Sequence, residues 1–205
     1  MYWKIAIFLM MLIWMFWHKV EVNKKVKDSE KEEEAFWERE SKANSVRKKP
    51  IDALDYIKIP KDLPVYLCPD NIEIPDILNT IERLRKEKIL NLTGYTNTDL
   101  KMEYGTANIS ELSLYDENYT TLITTLQKWV DVLLEEDYEE EAVKLMEFMV
   151  STGSDIGKTY RLLGKYYLKH GREEDYEKLI EACDLTRSLN KPYIIESLKE
   201  LKNQL

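Results

Sequence analysis

The chain has 205 residues, with 30 lysines and arginines against 38 aspartates and glutamates and a formal net charge of −8. Apolar residues make up 44% of it, which is enough for a packed core and excludes a wholly disordered chain. The acidic balance argues against general nucleic-acid binding, because that function needs a basic surface that replaces counterions on phosphates. We therefore expect one folded domain with an additional segment, and no nucleic-acid partner.

The first predicted element is an N-terminal transmembrane helix over residues 1–19. Its centre, residues 5–17, is an unbroken apolar run without an amphipathic pattern. A helix of about 17 residues spans about 25 Å, and lysines and tryptophans at its ends make up the shortfall against a bilayer core of roughly 30 Å. No small-residue cleavage site follows the run, so we interpret it as an uncleaved single-span membrane anchor rather than a signal peptide.

Basic residues around the anchor set the expected orientation. Four lysines follow the apolar run closely and one precedes it, so the positive-inside rule places the rest of the chain in the cytoplasm. Three sequons for N-glycosylation also occur, and we interpret them as chance matches. An extracytoplasmic component of envelope assembly is the alternative. The lysines are Lys4, then Lys19, Lys24, Lys25 and Lys27, and the sequon asparagines are Asn91, Asn108 and Asn118.

Two segments connect the anchor to the rest of the chain. Residues 20–49 are predicted as the charged juxtamembrane helix element, in which a helix of about 18 residues begins with Ser29 as its N-cap, has basic residues in its last turn and is ended by Pro50. Residues 50–75 hold five of the six prolines and are therefore not helical. Because this segment also carries apolar side chains such as Ile59 and Tyr66, we expect an extended strap that buries them on the helical domain. A flexible tether is the alternative.

From residue 76 onward the apolar pattern has helical period, which predicts an all-α domain over residues 76–205. Short breaks separate the helices, so neighbouring helices are expected to be antiparallel. A first helix is predicted over residues 76–89, and later breaks fall at residues 136–137, 151–155, 171 and 190.

The chain also repeats itself at an offset of 34 residues, and at this offset it resembles the tetratricopeptide-repeat family. The resemblance covers residues 123–156 and 157–190. It implies an antiparallel helix-pair solenoid, with residues 191–203 as its capping helix and the helices of residues 76–120 as an extension of the stack. Val130 departs from the family pattern because it replaces a small residue, and Tyr176 departs because it replaces an alanine. The second unit matches better, at Tyr160, Leu163, Gly164, Tyr167 and Gly171.

One predicted helix carries a line of basic residues in the most acidic part of the chain. They recur every three or four residues and so share one helix face. The resemblance implies that this helix lines a concave groove, and such grooves often hold an acidic or C-terminal peptide segment. The family's asparagine-containing carboxylate clamp is absent, and a solvated face that balances neighbouring glutamates is the alternative. These candidate partner-binding residues are Lys158, Arg161, Lys165 and Lys169.

No motif predicts a catalytic, cofactor or metal site. Residues 152–159 resemble a phosphate-binding loop, but Thr152 replaces its first glycine and no strand precedes it. The two cysteines and two histidines lack the spacing of metal ligands. We therefore predict a membrane-anchored helical-repeat adaptor or scaffold, not an enzyme, that binds a protein or peptide partner at the membrane surface.

Overall fold

The computed structural model describes the backbone of residues 2–204 and their side chains, except those at positions 2, 4–6, 8, 9, 12, 13 and 204. Over these residues the chain forms eight α-helices and one short 3-10 helix, with no β-strand, which confirms the predicted all-α class. It divides into two compact units, Met1–Lys49 with Asn97–Ala107, and Pro50–Thr96 with Asn108–Leu205. The boundaries between these units fall at residues 49–50, 96–97 and 107–108.

The first unit is built on helix α1 (Tyr2–Asn44), which is continuous over 43 residues. The prediction of a separate helix that begins at Ser29 is therefore wrong. Lysines and glutamates with good helix propensity flank Ser29, and an established helix extends through a serine at small cost. The helix also ends at Asn44, so the basic residues expected in its last turn follow it as irregular chain.

The predicted anchor, residues 1–19, forms the N-terminal part of α1. Met1 and several apolar side chains of this segment lie outside the described residues. Within the described part of the chain, no helix has an apolar stretch long enough to cross a membrane.

Helix α3 (Asn97–Tyr104) packs against the C-terminal end of α1 within the first unit. Ala43 is fully buried there. The Glu40 carboxylate accepts hydrogen bonds from the Lys101 ammonium and, at 2.7 Å, from the Thr98 hydroxyl. These two donors hold the pKa of Glu40 below its usual value. The contact between the two helices is therefore part apolar and part charged.

The proline-rich segment is packed on the helices of the second unit. Residues 50–73 contain no helix or strand, as expected from their prolines, whereas Ile74 and Pro75, which were also expected to be non-helical, lie in the first turn of a helix, where a proline is tolerated. Ile59 is buried, and the Arg85 guanidinium donates hydrogen bonds to the carbonyl oxygens of Ile59 and Pro60 at 3.2 and 2.6 Å. Tyr66, which we expected to be buried, is 74% exposed.

The remaining six α-helices described in the structure belong to the second unit. The four breaks predicted from residue 136 onward fall at the ends of these helices or between them, whereas the first helix is shorter than predicted. Leu84 ends that helix, and residues 85–90 continue as turns and irregular chain. The helices are α2 (Ile74–Leu84), α4 (Ile109–Glu135), α5 (Glu139–Ser151), α6 (Gly157–Lys169), α7 (Glu173–Leu185) and α8 (Lys191–Gln204).

Packing in the second unit follows chain order. Helix α2 packs against α4, and from α4 onward each helix packs against the next. In addition, α5 packs against α7 and α6 packs against α8. One apolar cluster extends from the proline-rich segment to α8, and it includes the fully buried side chains of Trp129, Tyr160 and Leu198.

The offset of 34 residues recurs in the structure. Helices α5 and α7 both begin and both end 34 residues apart, and so do the ends of α4 and α6. The turns after α4 and α6 are also alike, because Asp137 and Gly171 both have a left-handed backbone, with φ of 62° and 66°. The next residue, Tyr138 or Arg172, donates its N–H to the carbonyl five residues earlier at 2.8 Å.

The two departures from the tetratricopeptide pattern involve residues of opposite size. Val130 on α4 corresponds to Gly164 on α6, and Ala142 on α5 corresponds to Tyr176 on α7; all four are buried. A Cβ atom on Gly164 would lie 2.8 Å from Leu198 Cδ2 and 3.3 Å from Tyr176 Cε2. The second pair therefore has its small residue on the first helix and its large residue on the second, the reverse of the first pair.

Candidate partner-binding site

Helix α6 carries all four basic residues that the sequence singled out. Its buried face packs in the core through Tyr160, Leu163 and Tyr167. With a helical repeat of 3.6 residues, positions between these buried ones point outward. The four basic side chains are accordingly exposed: Lys158, Arg161, Lys165 and Lys169.

The two outer basic residues form ion pairs within the second unit. Lys158 Nζ lies 2.7 Å from Asp131 Oδ2 on α4, and Lys169 Nζ lies 3.1 Å from Glu139 Oε2 on α5. Each lysine side chain is more than half exposed, so each pair contributes only about 0–1 kcal/mol to stability. These two lysines therefore match the alternative of a solvated face that balances neighbouring carboxylates.

Arg161 lines a groove between α6 and α8 with a volume of about 230 Å³. We call it the α6–α8 groove. Among the described residues, the Arg161 guanidinium forms no ion pair, although the groove also contains two carboxylates. Its lining is mostly polar, and consists of Arg161, Tyr193, Glu196, Ser197, Glu200 and Leu201.

Lys165 lines a different groove, between α5 and α6, with a volume of about 270 Å³. We call it the α5–α6 groove. The Lys165 ammonium forms no ion pair among the described residues, whereas the paired Lys169 and Glu139 line the same groove. Four apolar side chains and Tyr166 complete the lining, the apolar ones being Leu134, Val143, Met146 and Leu162.

The four basic side chains therefore differ in their surroundings. Among the described residues, Lys158 and Lys169 are paired with neighbouring carboxylates, whereas Arg161 and Lys165 are not, and they line different grooves; Lys169 shares its groove with Lys165. The apolar lining of the α5–α6 groove was missed from the sequence, although Leu162, Lys165 and Lys169 follow one another at helical spacing. Glu196 and Glu200 on α8 were not predicted, because the helical period of that segment distinguishes its apolar side and not the individual carboxylates on its polar side.

The loop between α5 and α6, which resembles a phosphate-binding loop in sequence, is tied to another segment. The Asn91 side-chain amide donates to the carbonyl oxygens of Thr152 and Gly153 at 2.9 and 3.1 Å, and to the Tyr119 hydroxyl at 3.0 Å. Ser154 in the same loop is buried. These contacts give the loop a structural role as a connection between α5 and α6.

The described residues contain no group of three or more histidine, cysteine or acidic side chains arranged to hold a metal ion. Cys68 and Cys183 are both buried and unpaired with each other. Burial raises the pKa of each thiol and so makes it less reactive.

No protein-family model, curated protein or solved structure gives a significant match to this chain. The tetratricopeptide resemblance therefore remains a prediction, based on the spacing of residues in the sequence.

Proposed function

We propose that this protein is a membrane-anchored helical-repeat adaptor, not an enzyme, and that it binds a protein or peptide partner through the exposed face of α6. The observation that carries the proposal is the state of Arg161 and Lys165. Both side chains are exposed, both lack an ion-pair partner among the described residues, and each lines a groove between neighbouring helices. Unpaired cations beside a groove are available to bind carboxylates of a partner.

The architecture that we propose for residues 123–203 is a tetratricopeptide-like solenoid. The recurrence of helix bounds at 34 residues supports it, since that is the length of the family's helix pair. The packing of α5 on α7 and of α6 on α8 also supports it, because helix pairs in a solenoid bury their faces against the equivalent helices of the next pair.

The proposed anchor is residues 1–19. Its support is the apolar sequence of residues 5–17, together with aromatic side chains along α1 that are largely exposed in the described chain. Large apolar side chains that are exposed along one stretch of a helix suit contact with lipid or protein. These side chains are Trp14, Phe16 and Trp17.

A cytoplasmic position of the helical units is the proposed topology. The lysines after the apolar run support it, and so do the three sequon asparagines. Asn108 and Asn118 are buried, and the side-chain nitrogens of Asn91 and Asn118 donate hydrogen bonds within the fold. A glycan would replace one hydrogen of that same nitrogen, so it would remove one of the two donors of each amide and would need space that is not free at the buried Asn108 and Asn118.

The proposal is tested by reversing the two unpaired charges together, with Arg161→Glu and Lys165→Glu in the full chain. We expect the amount of co-purified partner to fall about tenfold, which is the effect of losing one or two charge-assisted contacts. The measurement is quantitative mass spectrometry after cross-linking in cells.

The matched control is Lys144→Glu with Lys199→Glu, since both lysines are exposed and neither lines one of the two grooves. If the test and control variants recover the same partners in equal amounts, α6 is not the binding surface.

A further inference from the structure

We propose that the α5–α6 groove binds a peptide segment in which an aliphatic side chain lies next to a carboxylate. The aliphatic side chain occupies the apolar floor of the groove, and Lys165 binds the carboxylate. This inference rests on the proposed adaptor function and names the chemistry of its partner.

The floor of the groove determines the first half of this specificity. Val143 and Met146 are buried, while Leu134 and Leu162 are partly buried and pack against the same core. None of these four side chains has a hydrogen-bond donor or a strong acceptor. A polar group placed on them would lose its bonds to water without replacement, so the floor selects an apolar side chain. Met146 adapts its shape more easily than a branched residue and so tolerates different aliphatic side chains.

The size of the groove favours a side chain over a free small molecule. Its volume of about 270 Å³ lies just below the roughly 300–1,000 Å³ of typical ligand pockets. A cofactor would be left largely in solvent there. One or two side chains of a longer segment fit, and the rest of that segment is free to continue along the exposed helices.

The charges around the groove determine the second half of the specificity. Glu139 is paired with Lys169, which leaves the ammonium of Lys165 without a counter-ion among the described residues. A segment with a carboxylate supplies that counter-ion. A segment with a lysine or arginine would meet two lysines, and the one glutamate there, Glu139, is already paired with Lys169. The groove therefore disfavours basic segments through charge repulsion.

The α6–α8 groove does not have these properties. Arg161 shares that groove with Glu196 and Glu200, and Leu201 is its one aliphatic side chain. Two carboxylates beside one guanidinium offset the attraction of Arg161 for an acidic segment, and the groove has no apolar floor for an aliphatic side chain. The α5–α6 groove is therefore the one that fits an acidic and aliphatic peptide.

The test is selection from a random dodecapeptide phage library on the immobilised full chain. We expect enriched peptides to carry an aliphatic residue within one helical turn of an aspartate or glutamate. Synthetic copies of these peptides should bind at least about tenfold more weakly to the Lys165→Glu and Leu162→Ser variants, and equally well to the Lys144→Glu control. Lys165 is exposed, so Lys165→Glu leaves the core intact. If Leu162→Ser loosens the fold, the Lys165→Glu variant alone decides the test.

Three results overturn the inference: no enrichment, enriched peptides without the aliphatic and acidic pair, or binding that is insensitive to Lys165→Glu. In each of these cases, the cross-linking experiment separates the two proposals. If the double variant at Arg161 and Lys165 loses its cross-linked partner, the adaptor function is still supported and only this peptide ligand is rejected. If the double variant also keeps its partners, both proposals fail.

Discussion

At the scale of single residues, three buried tyrosines set a limit on the pH range of the fold. Tyr160 and Tyr167 donate their hydroxyl hydrogens to the Ser154 carbonyl and the Glu147 carboxylate, both at 2.9 Å. Burial is the main cause that raises the pKa of Tyr119 from its ordinary value of 10.0 to about 12, and it raises those of Tyr160 and Tyr167 as well. The folded chain therefore keeps these phenols protonated where the unfolded chain does not.

We expect the free energy of unfolding to fall as the pH rises from about 10 toward 12. In this window the unfolded state has released phenolic protons that the folded state still binds, and stability decreases with pH wherever the unfolded state binds fewer protons. Urea unfolding at several pH values through the window measures the slope. Tyr119→Phe should reduce it, and the exposed Tyr193→Phe is the control. A stability that stays constant through the window would contradict the expectation.

The candidate site was predictable from the sequence only in part. The four basic residues of α6 were identified because their spacing matches the helical repeat, which is a local property. Their partners were not identified, because Asp131 and Glu139 meet α6 only through the packing of three helices. Periodicity indicates which residues share a face, but it does not indicate which carboxylates another helix brings to that face.

At the scale of elements, the two helix pairs place their large and small buried residues in opposite order. This reversal indicates that the sizes of the two residues in a pair depend on each other. Gly164 is required by the close approach of Tyr176 and Leu198. The Tyr176 hydroxyl in turn donates a hydrogen bond to the Leu198 carbonyl oxygen, which fixes the ring over the glycine. In the first pair the sizes are reversed: the larger residue, Val130, is on the first helix of the pair, and the smaller one, Ala142, is on the second.

We expect Gly164→Val alone to destabilise the protein by about 2 kcal/mol through overpacking, and Tyr176→Ala alone by about 4 kcal/mol through the cavity it leaves. The double variant, which has the valine and alanine of the first pair, should lose at least about 1 kcal/mol less than the sum of the two. Urea unfolding followed by circular dichroism gives the three values. Additive losses would show that the two positions are independent.

Helix boundaries also show where sequence patterns are sufficient. From residue 136 onward, the predicted breaks between helices coincide with glycines, acidic turns and a change of apolar face. The observed helices end or begin at these breaks, as predicted. The continuity of α1 through Ser29 was missed, because a capping-box sequence permits a helix to begin but does not require it. The contact of α3 with α1 was missed because it joins segments that are far apart in the chain.

At the scale of the whole molecule, the burial of both cysteines makes the topology directly measurable. Cys68 is 7% exposed and Cys183 is fully buried. An introduced surface cysteine, Lys199→Cys, is therefore expected to react with a membrane-impermeant maleimide well before the native thiols do. For the proposed cytoplasmic orientation, labelling should occur only after the cells are permeabilised. Labelling in intact cells would contradict it and favour the extracytoplasmic alternative.

The discontinuous first unit has a consequence for the order of folding during synthesis. Helix α1 leaves the ribosome first, but Ala43 and Glu40 obtain their partners only when α3 follows, after residues 50–96 have been made. Closing so long a loop costs entropy that contacts between neighbouring helices do not incur. From α5 onward, by contrast, each helix packs against the helix made immediately before it. During translation, the end of α1 therefore waits without a partner while residues 50–96 emerge.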